Sequence, residues 1–435
     1  MRNPYVPHVA DERRAMCDVI GVASADDLFA DLPAHLRDPR IELPPPMAEA
    51  ELLRHYRALA ARTADALAVP CFLGGPLQRH AVPAVTAYVL GRGEFSTAYT
   101  PYQPEIAQGT LQAAFEFQSA VAELTGMDVA NAGMYDGPSA LAEACLMAAA
   151  VTGRRRVVLD EGVDPVAADV VRTYASGHQL QVETARAADA DLAGAAALAV
   201  QYPDVLGQVR PLAPLAARAH AAGALVCASA DPVALALLQP PGEAGADIVV
   251  GEGGPLAAPP TFGGPNLGLF ACRKELVRQM PGRIVGATVD ARGRRGFVLT
   301  LQTREQHIRR ERATSNICTA QQLLATGFAV TLALLGPAGL RELAETCYQR
   351  AHALAARIAT LPGWSVASEP PFFHEFAVAG PLPPRAVNAR LWEHGIVGGR
   401  PLVWRGTEVL VLSVTELNPP DQLDALVAAL TEPRS

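Results

Sequence analysis

The chain has 435 residues, half of them apolar and only 18% charged. That is enough for two or three domains, or for one large catalytic fold with an appendage, and it excludes a disordered chain. The net charge of -8 argues against a general nucleic-acid binder, which carries a basic excess. Of the 36 basic residues only Lys274 is a lysine, so chemistry that needs a lysine amine has one candidate.

The seven cysteines (17, 71, 145, 227, 272, 318 and 347) include no CxxC pair and no His/Cys cluster in sequence. Zinc and a disulfide framework are therefore poorly supported, and Cys145, Cys227 and Cys272 lie in apolar runs that suit buried thiols. The first eight residues lack the apolar stretch of a signal peptide. No uninterrupted apolar run reaches membrane-spanning length, Leu141–Val151 being too short. The expectation is a soluble, cytoplasmic protein.

In chain order, residues 1–70 read as a helical arm with proline punctuation. Asp11–Ile20 and Glu49–Ala66 carry helical spacing on either side of a Pro-rich connector, Leu32–Pro46. Residues 71–335 read as a large α/β domain. Helices are expected over Leu111–Leu124, stopped by Gly126, and over Ser139–Ala150. Short apolar strands are expected at Val129–Ala132, Arg156–Leu159, Leu180–Glu183, Ala196–Gln201, Ala224–Ser229, Asp247–Val250 and Leu267–Cys272. Strands alternating with helices indicate a mostly parallel sheet covered on both faces. A helix over Ala320–Leu335 precedes another running from Gly336-Pro337 to about Thr360. Residues 336–435 then read as a small α+β domain, with strands at Phe373–Val378 and Val409–Val414 and helices at Pro384–His394 and Asp421–Thr431.

Four runs carry polar groups that could do chemistry. In "TAYTPYQPE" (97–105), Pro101 and Pro104 preset an extended loop from which Tyr99, Tyr102, Gln103 and Glu105 project. It suits a binding site and equally suits a structural entry to the next helix. In "NAGMYDGPS" (131–139), small residues before a helix suit an anion such as phosphate, or an ordinary capped helix with Ser139 near the N-cap. Asp231, ending an apolar strand, could pair with a cofactor's ring nitrogen or make an Asp-Pro turn. In "QTREQHIRRERATSNIC" (302–318), Glu305 and Arg309 have the i,i+4 helix spacing. Arg304, His307 and Arg310, followed by Thr314, Ser315 and Asn316, suggest anion or substrate contacts on what is otherwise a solvated charged helix.

The runs "YTPYQPEIAQGTLQ", "GMDVANAGMYDG", "DIVVGEG", "FGGPNLGLFACRKELVRQMPGRIVG" and "LQTREQHIRRERATSNICTAQ" together resemble the glycine cleavage system P-protein, the decarboxylating glycine dehydrogenase. The opening "PYVPH…DERRAM…IGV…DLF" resembles subunit 1 of its two-subunit bacterial form. The resemblance spans nearly the entire chain. It implies an aspartate-aminotransferase-like (fold type I) large domain built for pyridoxal 5'-phosphate (PLP). It also implies decarboxylation of glycine, with transfer of the aminomethyl group to the lipoyl arm of H-protein, PLP serving as electron sink. A cofactor lysine is required, and the stretch after Asp231, Asp247–Thr261, contains none. Lys274 reads as a surface helix-start residue. The resemblance accordingly implies that subunit 2 holds PLP covalently, and that this chain holds none and keeps a degenerate copy of the fold. It further implies an α2β2 assembly with subunit 2, in which Tyr99, Tyr102, Gln103, Glu105, Arg304, His307, Arg310, Thr314, Ser315 and Asn316 help to line the partner's active site. Departures fit a vestigial site: Pro76, Leu77 and Gln78 stand where relatives tend to carry Gly or Ser and an aromatic. Gly133 and Pro138 replace the more usual Ser and Ala or Thr, and Pro138 removes an amide donor. A self-sufficient PLP enzyme is disfavoured by the missing lysine. A pure scaffold that docks H-protein without touching the site is the alternative.

Overall fold

The computed structural model describes residues 5, 8–37, 39–64, 68–75, 78–260, 263–318 and 320–431. Pro76, Leu77 and Thr261, noted above, lie outside them. The chain divides into two compact units, Met1–Ala64 and Asp65–Ser435.

The first unit holds the helices Ala10–Ile20 and Glu49–Ala60, the former closed by Gly21 in the left-handed region (φ 86°). The second helix stops at Ala60, before the Ala66 expected from the sequence. Val19, Ile20, Ile41, Leu43 and Tyr56 are all exposed.

The second unit is built on a seven-stranded sheet: β1 (Val129–Ala130), β2 (Arg156–Asp160), β3 (Gln181–Ala185), β4 (Ala195–Tyr202), β5 (Leu225–Ala230), β6 (Ile248–Glu252) and β7 (Gly268–Cys272). Their order is β1-β7-β6-β5-β4-β2-β3, with β6 through β3 parallel and β7 reversed. Every expected strand is present within a few residues. The period-2 alternation explains why helices cover both faces. Val158, Leu198 and Val200 join one apolar core with Phe117 and Phe328. Val157, Leu159, Ala197 and Ala199 join the other with Leu141 and Phe270. The helix Gln108–Thr125 ends at Gly126 (φ 67°), as expected.

A two-stranded hairpin, β8 (Ile284–Val289) and β9 (Arg295–Thr300), follows the sheet. The sequence does not announce it, because arginines and glycines at its turn dilute the alternation. The helix Gln322–Ile358 is the only one among the described residues long and apolar enough to cross a membrane. It breaks at Gly336 (φ 60°), the point at which the sequence separates two helices, and it buries Leu324, Phe328, Leu340 and Leu354. It is thus a core helix. The C-terminal part is an antiparallel sheet of β10 (Ser365–Val366), β11 (Glu375–Ala379), β12 (Arg400–Trp404) and β13 (Thr407–Ser413), ordered β10-β11-β13-β12. The helices Pro384–Glu393 and Pro420–Thr431 pack on it around Phe376, Leu391, Leu412 and Leu426. The cysteines are unbridged, and Cys145, Cys227 and Cys272 are buried as expected.

Candidate functional site

The C-terminal ends of parallel strands open into the crevice where α/β folds bind ligands. Here β4, β5 and β6 converge on a hollow of about 80 Å³, walled by Gln201, Asp204, Asp231, Glu252, His374 and Arg400 among others. That is small beside the ~300–1,000 Å³ of most ligand pockets. Asp231 makes the turn that the sequence allows, and its other oxygen meets a histidine of this chain instead of the cofactor ring nitrogen of the alternative reading. Its Oδ1 accepts the amides of Val233 (2.8 Å) and Ala234 (3.4 Å), making the turn, and its Oδ2 faces an imidazole nitrogen, His374 Nε2, at 3.1 Å. Burial alone would raise the Asp231 pKa and lower that of His374. The hydrogen bond and mutual charge outweigh burial, so the carboxyl is lowered and the imidazole raised. The two form a buried, hydrogen-bonded pair in which each favours the charged form of the other. Arg400, from β12, pairs with Asp164, which also caps the helix Pro165–Gly177 by accepting the Val166 amide at 2.8 Å.

The helix after the "NAGMYDGPS" turn spans Gly137–Thr152, and its N-cap is Asp136 rather than Ser139. Asp136 Oδ1 accepts the Ser139 amide at 2.7 Å, and Ser139 lies at the third helical position, where its hydroxyl is 3.3 Å from the Asp136 amide. This is a reciprocal capping box. The Gly137 amide donates to Glu252 Oε2 at 2.9 Å, and Glu252 Oε1 accepts the amides of Gly254 and Leu267 at 2.8 Å each. Burial pushes the Glu252 carboxyl up to about 7, with those amides pulling it part of the way back.

Lys274 is exposed and opens the short 3-10 turn Lys274–Gln279. Because β7 runs antiparallel to β6, pairing Gly268 with Glu252 and Cys272 with Ile248, Lys274 lies past the opposite edge of the sheet. The crevice is roughly 17 Å of strand away. These residues do not fit PLP: no lysine amine is within reach, the helix-start amides are taken by carboxylates, and the walls are acidic.

The two flagged runs meet elsewhere, on the outer face of the hairpin base. The Tyr102 hydroxyl accepts from Arg283 Nη2 at 3.2 Å, the guanidinium lies 5.4 Å from the Tyr102 ring centroid, and the His307 ring is 6.0 Å away. Glu305 is buried beneath them, its Oε2 3.5 Å from Arg283 Nε and 3.7 Å from His307 Nδ1. Neither Arg283 Nε nor Glu305 Oε1 completes a hydrogen bond. Tyr99, Gln103 and Glu105 are exposed on the same loop, which Gln108 ties to β9 by paired bonds with Phe297 (2.8 and 2.9 Å).

The 302–318 run is not the charged helix expected. It breaks into turns at Gln302–Arg304, Gln306–Arg309 and Arg310–Arg312, and Arg310 takes φ 53°. The Glu305–Arg309 helix pair is replaced: Glu305 turns to Arg283 and His307, and Arg309 Nε donates to the Thr303 carbonyl at 3.0 Å. Arg304 is buried, with its guanidinium on the carbonyls of Leu301, Met280 and Gly282. It props the loop from below. Arg310 and Thr314 are exposed, Asn316 Oδ1 accepts from Gln306 Nε2 at 2.9 Å, and Ser315 bonds buried Glu143. Burial raises Glu143 to about 7, the Ser315 bond opposing. Arg283 and Glu305 were missed as site residues because their partnership spans loop, hairpin and turn, and no sequence spacing encodes it.

The family model of the glycine cleavage system P-protein matches residues 3–430. A relative from Thermomicrobium roseum, called probable glycine dehydrogenase (decarboxylating) subunit 1, is 50% identical, covering 98% of this chain and 99% of its own. A crystal structure of glycine decarboxylase (P-protein) of the glycine cleavage system, in inhibitor-bound form, superposes with a TM-score of 0.91 at 46% identity, over 99% of each chain. A sphingosine-1-phosphate lyase from Burkholderia pseudomallei shares the fold alone, at TM-score 0.62 and 16% identity, over 92% of this chain and 93% of its own. The architecture is thus fold type I, with the helical N-terminal arm and small α+β C-terminal part expected from the sequence. On the family match and the near full-length identity, the chain belongs to the glycine cleavage system P-protein family.

Proposed function

We propose that this chain is the subunit of a glycine dehydrogenase (decarboxylating) that lends surface residues, and no cofactor, to the reaction. Membership of the family makes it an enzyme component, and the family's reaction is glycine decarboxylation within the glycine cleavage system. The finer reading follows from chemistry. Its one lysine lies past the wrong edge of the sheet, so a lysine of subunit 2 would hold the PLP. The two subunits would assemble as α2β2 in the cytoplasm and pass the aminomethyl group to lipoylated H-protein.

The observation that carries the reading is the Tyr102–Arg283–His307 cluster, with Glu305 beneath it. Two sequence-distant runs converge on an exposed face and leave buried donor and acceptor atoms unmatched, and such atoms ordinarily have partners. Tyr102 and Arg283 would orient an anionic or carbonyl oxygen at the partner's site. His307 would hold or move a proton there, and Arg304 and Asn316 would fix the backbone beneath. Tyr99, Gln103, Glu105, Arg310, Thr314 and Ser315 would form the rim. The division at 70/71 and 335/336 would separate arm, large and small domains.

The test is glycine decarboxylation by the assembled enzyme carrying Tyr102→Phe or Arg310→Ala. Each variant should assemble and lose about tenfold in rate, as follows from ~1.4 kcal/mol of lost transition-state stabilisation. Normal assembly with full activity in both would favour a pure scaffold.

A further inference from the structure

A strand-to-helix turn at the mouth of a parallel sheet is where phosphate groups bind, because the first amides of the helix have no partner within it. In this chain those amides are already engaged. Asp136 and Glu252 take those of Ser139 and Gly137, and Pro138 has none to offer. Glu252 gathers amides from three separate segments: the helix start, the turn after β6 and the approach to β7. A bound phosphate does the same work with its oxygens. The helix start and Glu252 are in close contact, with no gap between them for one. A Cβ built on Gly137 would stand 3.1 Å from Glu252 Cβ and 3.2 Å from its amide nitrogen. Deeper in the crevice, the Asp231 carboxylate is taken by His374.

We infer that Glu252 is a tethered anion. Its carboxylate stands where an external phosphate would sit, and the crevice is a self-filled structural element that admits neither free PLP nor inorganic phosphate. This goes beyond the missing lysine, which bars only a covalent bond.

The test is amide hydrogen exchange at about pH 8 or above, where the Glu252 carboxyl is ionised, read on peptides of this chain that cover residues 131–140 and 250–256, in the enzyme assembled with its partner. In the unsubstituted protein, millimolar inorganic phosphate or PLP should leave protection of these peptides unchanged against a chloride control. In Glu252→Ala, protection should fall by about tenfold or more, and phosphate or acetate should restore it where chloride does not. Should Glu252→Ala fail to fold, Glu252→Gln fills the same space without the charge. It should exchange faster at Gly137 and ignore phosphate. Phosphate-dependent protection of the unsubstituted crevice would overturn the inference. So would unaltered exchange in both variants, a loss in Glu252→Ala that no anion repairs, or a phosphate response in Glu252→Gln.

Discussion

The crevice and the hairpin face use the same kinds of side chain to opposite ends. In the crevice, the carboxylates of Asp231, Glu252 and Asp164 find their partners within the chain, while His374 Nδ1 and Arg400 Nε are left unmatched. On the hairpin face, Arg283 and Glu305 sit at 3.5 Å with a donor and an acceptor unmatched, beneath an exposed Tyr102 and His307. The crevice engages its carboxylates with groups of its own chain, whereas the hairpin face carries its unmatched pair directly beneath exposed side chains.

The comparison breaks most completely if the outward-facing parts are not needed for assembly. Residues 1–64 expose Val19, Ile41, Leu43 and Tyr56, apolar side chains that an interface with subunit 2 would cover. Deleting them should abolish co-elution with subunit 2 on a sizing column, and retained co-elution would refute an interface role. Next is the crevice pair. Asp231→Ala strands a buried imidazole and two turn amides, and should cost about 3 kcal/mol or more in urea unfolding. Asp231→Asn, which keeps the turn, should cost less.

A pH titration sharpens the contrast further. Glu252 and Glu143 are raised from 4.5 to about 7, so the folded state binds protons more tightly than the unfolded state does. Their contribution is complete below the unfolded value and is lost as pH rises toward 7, by up to about 3 kcal/mol each at 1.36 kcal/mol per unit. Stability should decline over pH 4.5–7, and Glu143→Gln should flatten that slope. An unchanged slope would contradict the assigned burial. The smallest effect belongs to the hairpin face. Tyr102→Phe, which removes only a half-exposed hydroxyl 3.2 Å from Arg283, should leave unfolding within about 1 kcal/mol of the unsubstituted protein while lowering glycine decarboxylation in the assembled enzyme.

Much of the fold is legible in the sequence because the signals are local. Apolar strands such as Ala195–Tyr202, the Gly126 stop and the Gly336-Pro337 break each depend on neighbours in the chain. The hairpin β8–β9 escaped because its turn is polar and glycine-rich. The site is less legible. Tyr102 and His307 stand out by composition, but Arg283 joins them across 181 residues. Arg304 looks like a surface cation until tertiary packing buries it against carbonyls. The Glu252 and His374 contacts have no sequence signal, because both are made only when strand ends converge.

The most direct test of a chain that contributes surface and no cofactor is borohydride reduction of the assembled enzyme, followed by mass analysis of each subunit. The pyridoxyl mass should appear on a lysine of the partner, with Lys274 unmodified. A pyridoxyl adduct on Lys274 would contradict the account.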